Sequence, residues 1–390
     1  MPSEKILQFT GLILVSGQDR PGIMADLMTT LSEFSIRIID VQQISIRGRL
    51  ILTVLISLDQ AHKAAIANDL DHLQKKSGLD IAVDFAELSV SPEEPECLIV
   101  ILVAKEIEPL KISAIASEIA RMDGNIRHVK RSKYRSLESI EFQLSIPNKM
   151  LKIVQQNLKQ VALINDIDLS VELGGSARQR KRVVLLDMDS TLIEQEVIDL
   201  IAEHAGQGRY VTEITKQAMN GQMDFKEALE KRVGVLKDLN ISILNKVRND
   251  IKLTKGAVEM ISNLHACGHH VGVVSGGFLN VIEPILQDLK IDFYRANRLE
   301  VVDGKLTGKI EGDTIDSDAK LLALKDFALQ SKVDLAHTVA VGDGANDIKM
   351  IESAGLGIAF NGKSELKKIA DTTISQPDLS AVLLLMGIQV

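Results

Sequence analysis

The sequence contains no tryptophan and only two cysteines, Cys97 and Cys267. Two cysteines are too few for a disulfide framework or a thiolate zinc site, so a reducing compartment is expected. No stretch reaches the roughly 20 apolar residues that a membrane-spanning helix needs, and the short apolar run at 11–15 is not a signal peptide. We therefore expect a cytoplasmic protein that does not contact a membrane.

Basic residues are fewer than acidic ones, and the net charge is −8. This balance argues against a dedicated nucleic-acid binder, because phosphate backbones favour basic surfaces. A phosphorylated metabolite remains possible, since a bound metal and a few cations set the field inside a pocket. The apolar content of 45% is mainly Ile, Leu, Val and Ala, which suits sheets covered by helices in two or three domains.

Residues 1–90 and 96–173 repeat one plan of strand, helix, strand, strand, helix and strand. Leu12–Val15 is predicted to be a buried strand. Ile126 stands 90 residues after Ile36 at the equivalent place, as expected for one fold used twice. We predict two α+β domains with the order βαββαβ.

Two polar segments separate the domains. Ser91–Pro95 contains two prolines and cannot continue a helix. Gly174–Arg182 is basic and could be a nucleic-acid patch, although a flexible, solvated tether is the preferred interpretation.

Residues 183–390 alternate short apolar strands with helices. Val183–Leu186, Val271–Val274 and Val339–Val341 each precede a polar, Gly-rich turn, as in a Rossmann-like parallel sheet with ligand groups at its carboxyl edge. The long stretch between the first two strands is rich in helical pattern. We expect a helical cap over about 198–262.

Two acidic turns carry the strongest chemical signal. Asp187 and Asp189 follow a buried strand and are spaced so that both face one crevice. One carboxylate can attack phosphorus while the other handles a proton. Asp343, Asn346 and Asp347 follow a later strand and supply further oxygen ligands, a set that favours Mg²⁺ over zinc. Cys267 with His269 and His270 offers an alternative metal site, but adjacent residues before a strand are more typical of a surface turn.

A hydroxyl with two glycines, Ser275, Gly276 and Gly277, follows another strand and lets backbone amides approach a phosphate closely. Lys320 follows Asp316-Ser317-Asp318 at the start of a predicted helix. Alone it would be an ordinary surface lysine. Its order behind the other three motifs suggests a role in the site.

These four motifs, in this order, resemble those of the haloacid dehalogenase superfamily, and the match extends over nearly all of 183–390 to its phosphoserine phosphatases. The resemblance implies that Asp187 is the nucleophile and Asp189 the general acid and base. It implies Mg²⁺ ligands from Asp187, the carbonyl of Asp189, and Asp343. It also implies that six further residues complete the site around the phosphoryl group: Ser275, Gly276, Gly277, Lys320, Asn346 and Asp347.

The substrate implied by this resemblance is phosphoserine, which would be hydrolysed to serine in the last step of serine biosynthesis. Glu196 would meet the ammonium and Arg232 the carboxylate, since Arg can hold a carboxylate with two parallel bonds. Met219 and Phe225 would cover the substrate with apolar surface. Another small ester, such as phosphothreonine or a phosphorylated sugar acid, is the alternative within the enzyme class. The other alternative is a regulatory protein that binds an amino acid and has an idle catalytic domain.

The two repeats resemble ACT domains, which often bind amino acids at domain interfaces. The segment around Gly17 and Asp19 is close to the family's loop between its first strand and helix, where glycine keeps the turn open. We predict that free serine binds there as an effector and inhibits the enzyme, and the alternative is an ordinary strand-to-helix turn capped by Asp19. The second repeat has no glycine at 104–109, so a scaffold or homodimer role is expected for it.

Overall fold

The computed structural model describes residues 6–90, 97–175, 178, 180–219, 223 and 225–388. The chain divides into two compact units between residues 94 and 95, and each has its own core. Within the described ranges, no helix is both long and apolar enough to cross a membrane.

The first unit is a four-stranded antiparallel sheet in the order β2-β3-β1-β4, with two helices. Its predicted βαββαβ order is confirmed. The elements are β1 (Ile6–Gln18), α1 (Ile23–Leu31), β2 (Arg37–Ile46), β3 (Arg49–Ser57), α2 (Lys63–Ser77) and β4 (Asp80–Val90).

The central strand β1 alternates between buried and exposed residues. Ile13 and Val15 are buried, whereas Leu12 and Leu14 are 47% and 41% exposed. The prediction that Leu12–Val15 is buried throughout is therefore wrong. Successive side chains of a strand point to opposite faces, and within this unit helices cover only one face of the sheet.

The second unit begins with another four-stranded antiparallel sheet, in the order β6-β7-β5-β8. The elements are β5 (Cys97–Ala104), α3 (Pro109–Arg121), β6 (Asn125–Tyr134), β7 (Leu137–Ser145), α4 (Leu151–Ile164) and β8 (Asp168–Leu173). It repeats the plan of the first unit, as the 90-residue offset predicts.

The rest of the second unit is built on a seven-stranded sheet in the order β12-β11-β10-β9-β13-β14-β15, parallel except for the β11–β12 pair. The strands are β9 (Val183–Leu186), β10 (His270–Phe278), β11 (Phe293–Val302), β12 (Lys305–Glu311), β13 (Thr338–Gly342), β14 (Leu356–Phe360) and β15 (Thr372–Ile374). The sheet has the Rossmann-like form that the strand pattern predicts.

Helices fill the connections of this sheet. Five helices stand between β9 and β10, and the first four of them lie where the cap is expected: α5 (Val197–His204), α6 (Gly208–Met219), α7 (Phe225–Gly234) and α8 (Ser242–Asp250). The others are α9 (Ala257–Ala266), α10 (Leu279–Asp288), α11 (Ser317–Gln330), α12 (Ile348–Ser353), α13 (Ser364–Ile369) and α14 (Ser380–Leu385). Because α9 packs against α14 and β10, it belongs with the layers that flank the sheet.

The two parts of the second unit share one core. Alternate residues of β5 pack to opposite sides: Leu98, Val100 and Leu102 lie under α3 and α4. Ile99, Ile101 and Val103 join the cluster that contains α14. Strand β5 is thus buried on both faces. Helix α14 covers the face of β5 that corresponds to the exposed face of β1.

Polar contacts fix the same junction. The carboxylate of Asp168 accepts a bond from the amide of Ser375 at 3.0 Å and one from its hydroxyl at 2.9 Å. The hydroxyl of Ser170 donates to the carbonyl of Leu385 at 3.1 Å. Burial raises the pKa of Asp168 to about 6.

The basic segment before β9 is not a solvated tether where the structure describes it. Arg182 makes two bonds to the carboxylate of Glu172, at 2.8 and 3.1 Å. Arg178 lies 2.9 Å from Glu141. Both arginines are largely buried, because acidic residues of the preceding sheet neutralise them. The prediction of a flexible, solvated tether is wrong for these two side chains.

Candidate active site

The carboxyl ends of β9, β10 and β13 meet at one edge of the large sheet. Asp187 follows β9 and Asp343 follows β13. The motif at 275–277 lies within the last part of β10, where the pairing with β11 is irregular, so the prediction that this motif follows its strand is wrong. The amide of Asp187 donates to the carbonyl of Val341 at 2.8 Å, which ties the end of β9 to β13. The chain then turns sharply, with Ser190 at a positive φ of 56°. That turn brings Asp189 back beside the end of β10.

Asp187 is held through one of its two oxygens. Its Oδ1 accepts a bond from the amide of Met188 at 2.8 Å and lies 2.7 Å from the Nζ of Lys320. Among the described residues, no donor is assigned to Oδ2. Burial raises the pKa of Asp187 well above its ordinary range, and the nearby charge of Asp347 adds to this, against the ammonium of Lys320.

Lys320 lies in the first turn of α11, which begins where Asp316 accepts a bond from the amide of Ala319 at 2.9 Å. Its Nζ lies 2.7 Å from both Asp187 and Asp347. Burial by itself would lower the pKa of Lys320, but the two carboxylates outweigh it and raise the pKa above the ordinary value. Lys320 is therefore an ammonium, and it links two of the acidic motifs.

Asp347 closes the acidic turn after β13. Its Oδ2 accepts bonds from the amides of Asp343 and Gly344 at 3.1 and 3.0 Å. A Cβ on Gly342 would lie 2.4 Å from the Asp347 carboxyl, so only glycine allows this approach. The turn thus directs its own carboxylate inward and leaves the side chain of Asp343 free for another ligand.

Asp189 faces Asp187 from the turn after β9. Its Oδ1 accepts a bond from the amide of Val197 at 3.0 Å, and its Oδ2 accepts one from the hydroxyl of Ser275 at 3.5 Å. The Ser275 oxygen in turn accepts a bond from the amide of Gly277 at 2.8 Å. Burial, and then the charge of Glu196, raises the pKa of Asp189 to about 7. A carboxyl with such a pKa can donate and accept a proton near neutral pH.

Oxygen ligands for a cation converge at this edge. Carboxylate oxygens of Asp187, Asp343 and Asp347 lie within 4.8 Å of one another, the one cluster of three potential ligand residues found in the described ranges. Burial, and then the charge of Asp347, raises the pKa of Asp343 to about 6. In the described ranges, no such cluster of potential ligands lies at Cys267, the alternative metal site. An acidic set with one ammonium fits a hard divalent cation.

The carboxylate of Asp189 does not belong to this cluster, because it bonds to Val197 and Ser275 instead. That its carbonyl binds the metal stays a prediction. Asp347 joins the cluster in addition to the predicted ligands, although Lys320 and the turn amides already engage both of its oxygens.

A cavity of about 520 Å³ opens above these groups. It brings together eight of the residues predicted from sequence: Asp187, Asp189, Glu196, Arg232, Gly276, Gly277, Asp343 and Asn346. Ser275 and Lys320 contact two of these from below. The side chains of Met219 and Phe225 lie outside the described residues.

Opposite charges stand on the cap side of the cavity. Glu196 accepts a bond from the hydroxyl of Ser190 at 2.9 Å. The Nε of Arg232 donates to the carbonyl of Ala228 at 3.3 Å, one turn earlier on α7. Burial lowers the pKa of Arg232, while Asp199 and Glu196 oppose the shift. A ligand with an ammonium and a carboxylate complements this pair.

Sequence reasoning missed several residues. Asp199, Thr215, Met223 and Lys363 also line the cavity. Asp199 follows Glu196 by three residues on α5, so helical spacing could have identified it. Asn297 gave no signal, because it is a single amide within β11.

Asn297 supports the Gly-rich segment in the last part of β10. Its Nδ2 donates to the carbonyl of Gly276 at 2.8 Å, and its Oδ1 accepts a bond from the amide of Ile315 at 2.8 Å. The side chain is 1% exposed. Asn297 therefore holds the orientation of the Gly276 peptide, which lines the cavity.

The predicted effector residues lie in the first unit. Gly17 is part of β1 and not of the turn, and a Cβ there would lie 2.6 Å from the Leu79 side chain. The prediction that Gly17 keeps the turn open is wrong. Asp19 lines a cavity of about 410 Å³ beside the start of α1. It does not cap the helix, since Gly22 holds that position without a side-chain bond.

Comparisons with known proteins agree with this architecture. Residues 184–352 match the model of haloacid dehalogenase-like hydrolases, and residues 10–84 and 97–172 each match an ACT domain model. The chain is 38% identical over 379 residues to a Mycobacterium tuberculosis protein named phosphoserine phosphatase SerB2, covering 97% of this chain and 93% of that one. A Streptomyces coelicolor phosphoserine phosphatase is 36% identical over 385 residues, covering 97% and 92%.

A solved structure resembles the C-terminal part. It is described as a phospho-aspartyl intermediate analogue of phosphoserine phosphatase. It is 46% identical with a TM-score of 0.50, and the match covers 52% of this chain and 98% of that one.

Proposed function

The chain belongs to the phosphoserine phosphatases of the haloacid dehalogenase-like hydrolases, with two ACT domains before the catalytic domain, and from this premise we propose that it hydrolyses O-phospho-L-serine to serine and phosphate. One observation carries the proposal. A single cavity holds Asp187 at its floor and the opposite charges of Glu196 and Arg232 on its cap side.

In the first step Asp187 acts as the nucleophile. The Oδ1 atom is engaged by Met188 and Lys320, which leaves Oδ2 to bond to phosphorus. As that bond forms, the bond between phosphorus and the serine oxygen breaks. Asp189, protonated near neutral pH because its pKa is about 7, donates its proton to the departing oxygen. The product is an aspartyl-phosphate on Asp187 and free serine.

The second step regenerates the enzyme. Asp189 is now a carboxylate and removes a proton from water as the water oxygen bonds to phosphorus. The bond between phosphorus and Asp187 breaks, and phosphate leaves. Lys320, held as an ammonium, balances the charge of Asp187 in both forms, and the backbone at Gly276, which lines the cavity, would approach the phosphoryl oxygens.

Recognition of the amino acid follows from charge. Glu196 pairs with the ammonium, and Arg232 binds the carboxylate through the guanidinium nitrogens that Ala228 leaves free. Phosphothreonine shares both charged groups, whereas a phosphorylated sugar acid lacks the ammonium that Glu196 requires. The intact Asp187–Lys320–Asp347 arrangement argues against an idle catalytic domain.

We propose Mg²⁺ as the cation at this site. Asp187 and Asp343 would hold it, with the carbonyl of Asp189. Bound there, the ion would neutralise the charge that develops on the phosphoryl oxygens. Calcium, which takes more ligands at longer distances, is expected to support turnover poorly.

The first ACT domain is proposed as a serine-binding module that inhibits the enzyme. The cavity at Asp19 supports this proposal, because a carboxylate beside the start of a helix suits the two charged groups of an amino acid. We also propose a homodimer. Leu12, Leu14 and Ile51 form part of an apolar sheet face on the first unit and are each more than 40% exposed.

The test is a substrate panel in the presence of Mg²⁺, scored by phosphate release. It compares phosphoserine, phosphothreonine, phosphoethanolamine and 3-phosphoglycerate. We expect phosphoserine to have the highest kcat/KM. A higher value for phosphoethanolamine or 3-phosphoglycerate would contradict recognition of both charged groups, and no release from any ester would support the idle-domain alternative.

A further inference from the structure

A carboxylate within the catalytic cavity has no role in the reaction described above. Asp199 lines the cavity together with Glu196 and Arg232. Its Oδ1 is buried and, among the described residues, no hydrogen-bond partner is assigned to it. A buried carboxylate oxygen without a donor is unfavourable, and such groups mark positions that a ligand or a neighbouring charge completes.

Arg232 is the charge that suits it. Nearby carboxylates raise the pKa of Arg232, and the effect of Asp199 is larger than those of Glu196 and Asp189. Arg232 is itself largely removed from solvent, and its one assigned bond uses Nε and points back along its own helix. The terminal nitrogens of the guanidinium, which must meet the substrate, are therefore not oriented by that bond.

We infer that Asp199 is a positioning residue that orients Arg232 for the substrate carboxylate. The inference rests on the proposed function and adds to it the origin of carboxylate specificity. Asp199 attracts one edge of the guanidinium, so that the other edge faces the cavity. Two carboxylates, one from the enzyme and one from the substrate, can share a planar cation that presents five N–H donors.

The alternative is that Asp199 binds the substrate ammonium together with Glu196. Glu196 directly precedes α5 as its N-cap residue, and Asp199 lies three positions later in the first turn of that helix. Two features favour the positioning role. Glu196 already supplies a carboxylate for the ammonium, and the guanidinium would otherwise have no oriented counter-charge.

Asp199→Asn tests the inference, because it keeps the shape and removes the charge. We expect kcat/KM for phosphoserine to fall about tenfold, mainly through KM. Phosphoethanolamine keeps the ammonium and lacks the carboxylate, so its hydrolysis should change less than about threefold. 3-Phosphooxypropanoate keeps the carboxylate and lacks the ammonium, and it should show the same loss as phosphoserine.

The coupling to Arg232 is measured by a double-mutant cycle. In an Arg232→Ala background, Asp199→Asn should have no further effect on KM for phosphoserine. An equal loss in both backgrounds, or an equal loss on phosphoethanolamine, would overturn the inference. Failure of the wild-type enzyme to hydrolyse phosphoserine would instead contradict the proposed function.

Two controls keep the result interpretable. Glu203→Gln removes an exposed carboxylate from the same helix outside the cavity. It should leave kcat/KM unchanged for all three substrates. Asp199→Ser removes the charge with a smaller side chain, and it replaces the asparagine variant if that protein does not fold. An Asp199→Ser enzyme with wild-type KM for phosphoserine would also overturn the inference.

Discussion

The Nζ of Lys320 lies 2.7 Å from Oδ1 of Asp187, and both side chains are almost entirely excluded from solvent. The ammonium thus lies under the nucleophile and not in the cavity above it. The ammonium opposes the effect of burial on the pKa of Asp187 and so favours its anionic form. The stability of the fold and the chemistry therefore depend on the same pair of residues, Asp187 and Lys320.

Replacing Lys320 by methionine should destabilise the protein at neutral pH. The change leaves Asp187 and Asp347 buried without their counter-charge, a loss of about 3–5 kcal/mol in the free energy of unfolding. The loss should be smaller at a mildly acidic pH, because burial raises the pKa of Asp187 and its carboxyl then becomes neutral. Urea unfolding at both pH values measures the difference. Lys325→Met, at an exposed position of α11, is the matched control, and equal losses in both variants would contradict the expectation.

Asp187→Asn should abolish turnover while the protein remains folded. The amide keeps the size of the side chain but cannot serve as the nucleophile, and loss of a covalent nucleophile lowers kcat by about 10⁴ or more. Steady-state kinetics and the melting temperature give the two readouts. Acid-quenched wild-type enzyme should carry a phosphoryl group on the peptide that contains Asp187. Substantial activity in a variant free of deamidation would refute the aspartyl-phosphate mechanism.

Affinity for Mg²⁺ should fall as the pH falls through about 6, the pKa of Asp343. This pKa lies above the ordinary 3.8, so proton binding at Asp343 stabilises the folded protein without metal. That contribution to stability is fully present below about pH 4 and is lost as the pH rises through 6. The ion competes with the proton, and its affinity should drop about tenfold per pH unit below 6. Calorimetric titration from about pH 7.5 to pH 5 would show a flat affinity if Asp343 is not a ligand.

Asn297→Ala should slow catalysis without direct loss of a substrate contact. The change frees the Gly276 carbonyl and leaves the half-buried amide of Ile315 without its acceptor, a loss of about 1–3 kcal/mol in stability. Misplacement of the Gly276 peptide should lower kcat by at least about tenfold. Asn263→Ala is the control, since its amide also donates to a backbone carbonyl but lies on α9. Unchanged kcat in the Asn297 variant would show that the segment holds its shape unaided.

Free serine should inhibit the full-length enzyme, and Asp19→Ala should weaken that inhibition while sparing basal turnover. Inhibition requires that serine bind two global states unequally. Gly17 is a poor site for this test, because any side chain would meet Leu79 and disturb the core. Phosphate release is measured with increasing serine at equal saturation by phosphoserine. Identical inhibition of both proteins would place the effect at the active site, as product inhibition.

Motifs allowed much of the catalytic edge to be predicted. Asp187 and Asp343 each follow a short apolar strand, Ser275 lies near the end of another, and parallel strands bring their carboxyl ends to one side. Lys320 could be identified only by its order behind the other motifs, since its helix has no other distinguishing feature. The repeat of the first two domains was visible because hydrophobic spacing is periodic.

What could not be predicted depends on partners that are distant in sequence. Arg182 looked solvated because nothing in its own segment indicates that Glu172 lies beside it. Leu12 and Ile99 lie in similar apolar strands, yet one is exposed and the other is packed under another element. Asn297 joins two segments across the sheet, and no local pattern encodes such a bridge.

The packing of α14 on β5 has a consequence for synthesis. Ile99, Ile101 and Val103 leave the ribosome long before Ser380–Leu385, the helix that shields them. At ordinary elongation rates the interval is on the order of tens of seconds. During that time the nascent second ACT domain presents an aliphatic surface to its surroundings. We expect ribosome-bound intermediates of this length to be recognised by chaperones, and release of the finished chain to end that interaction.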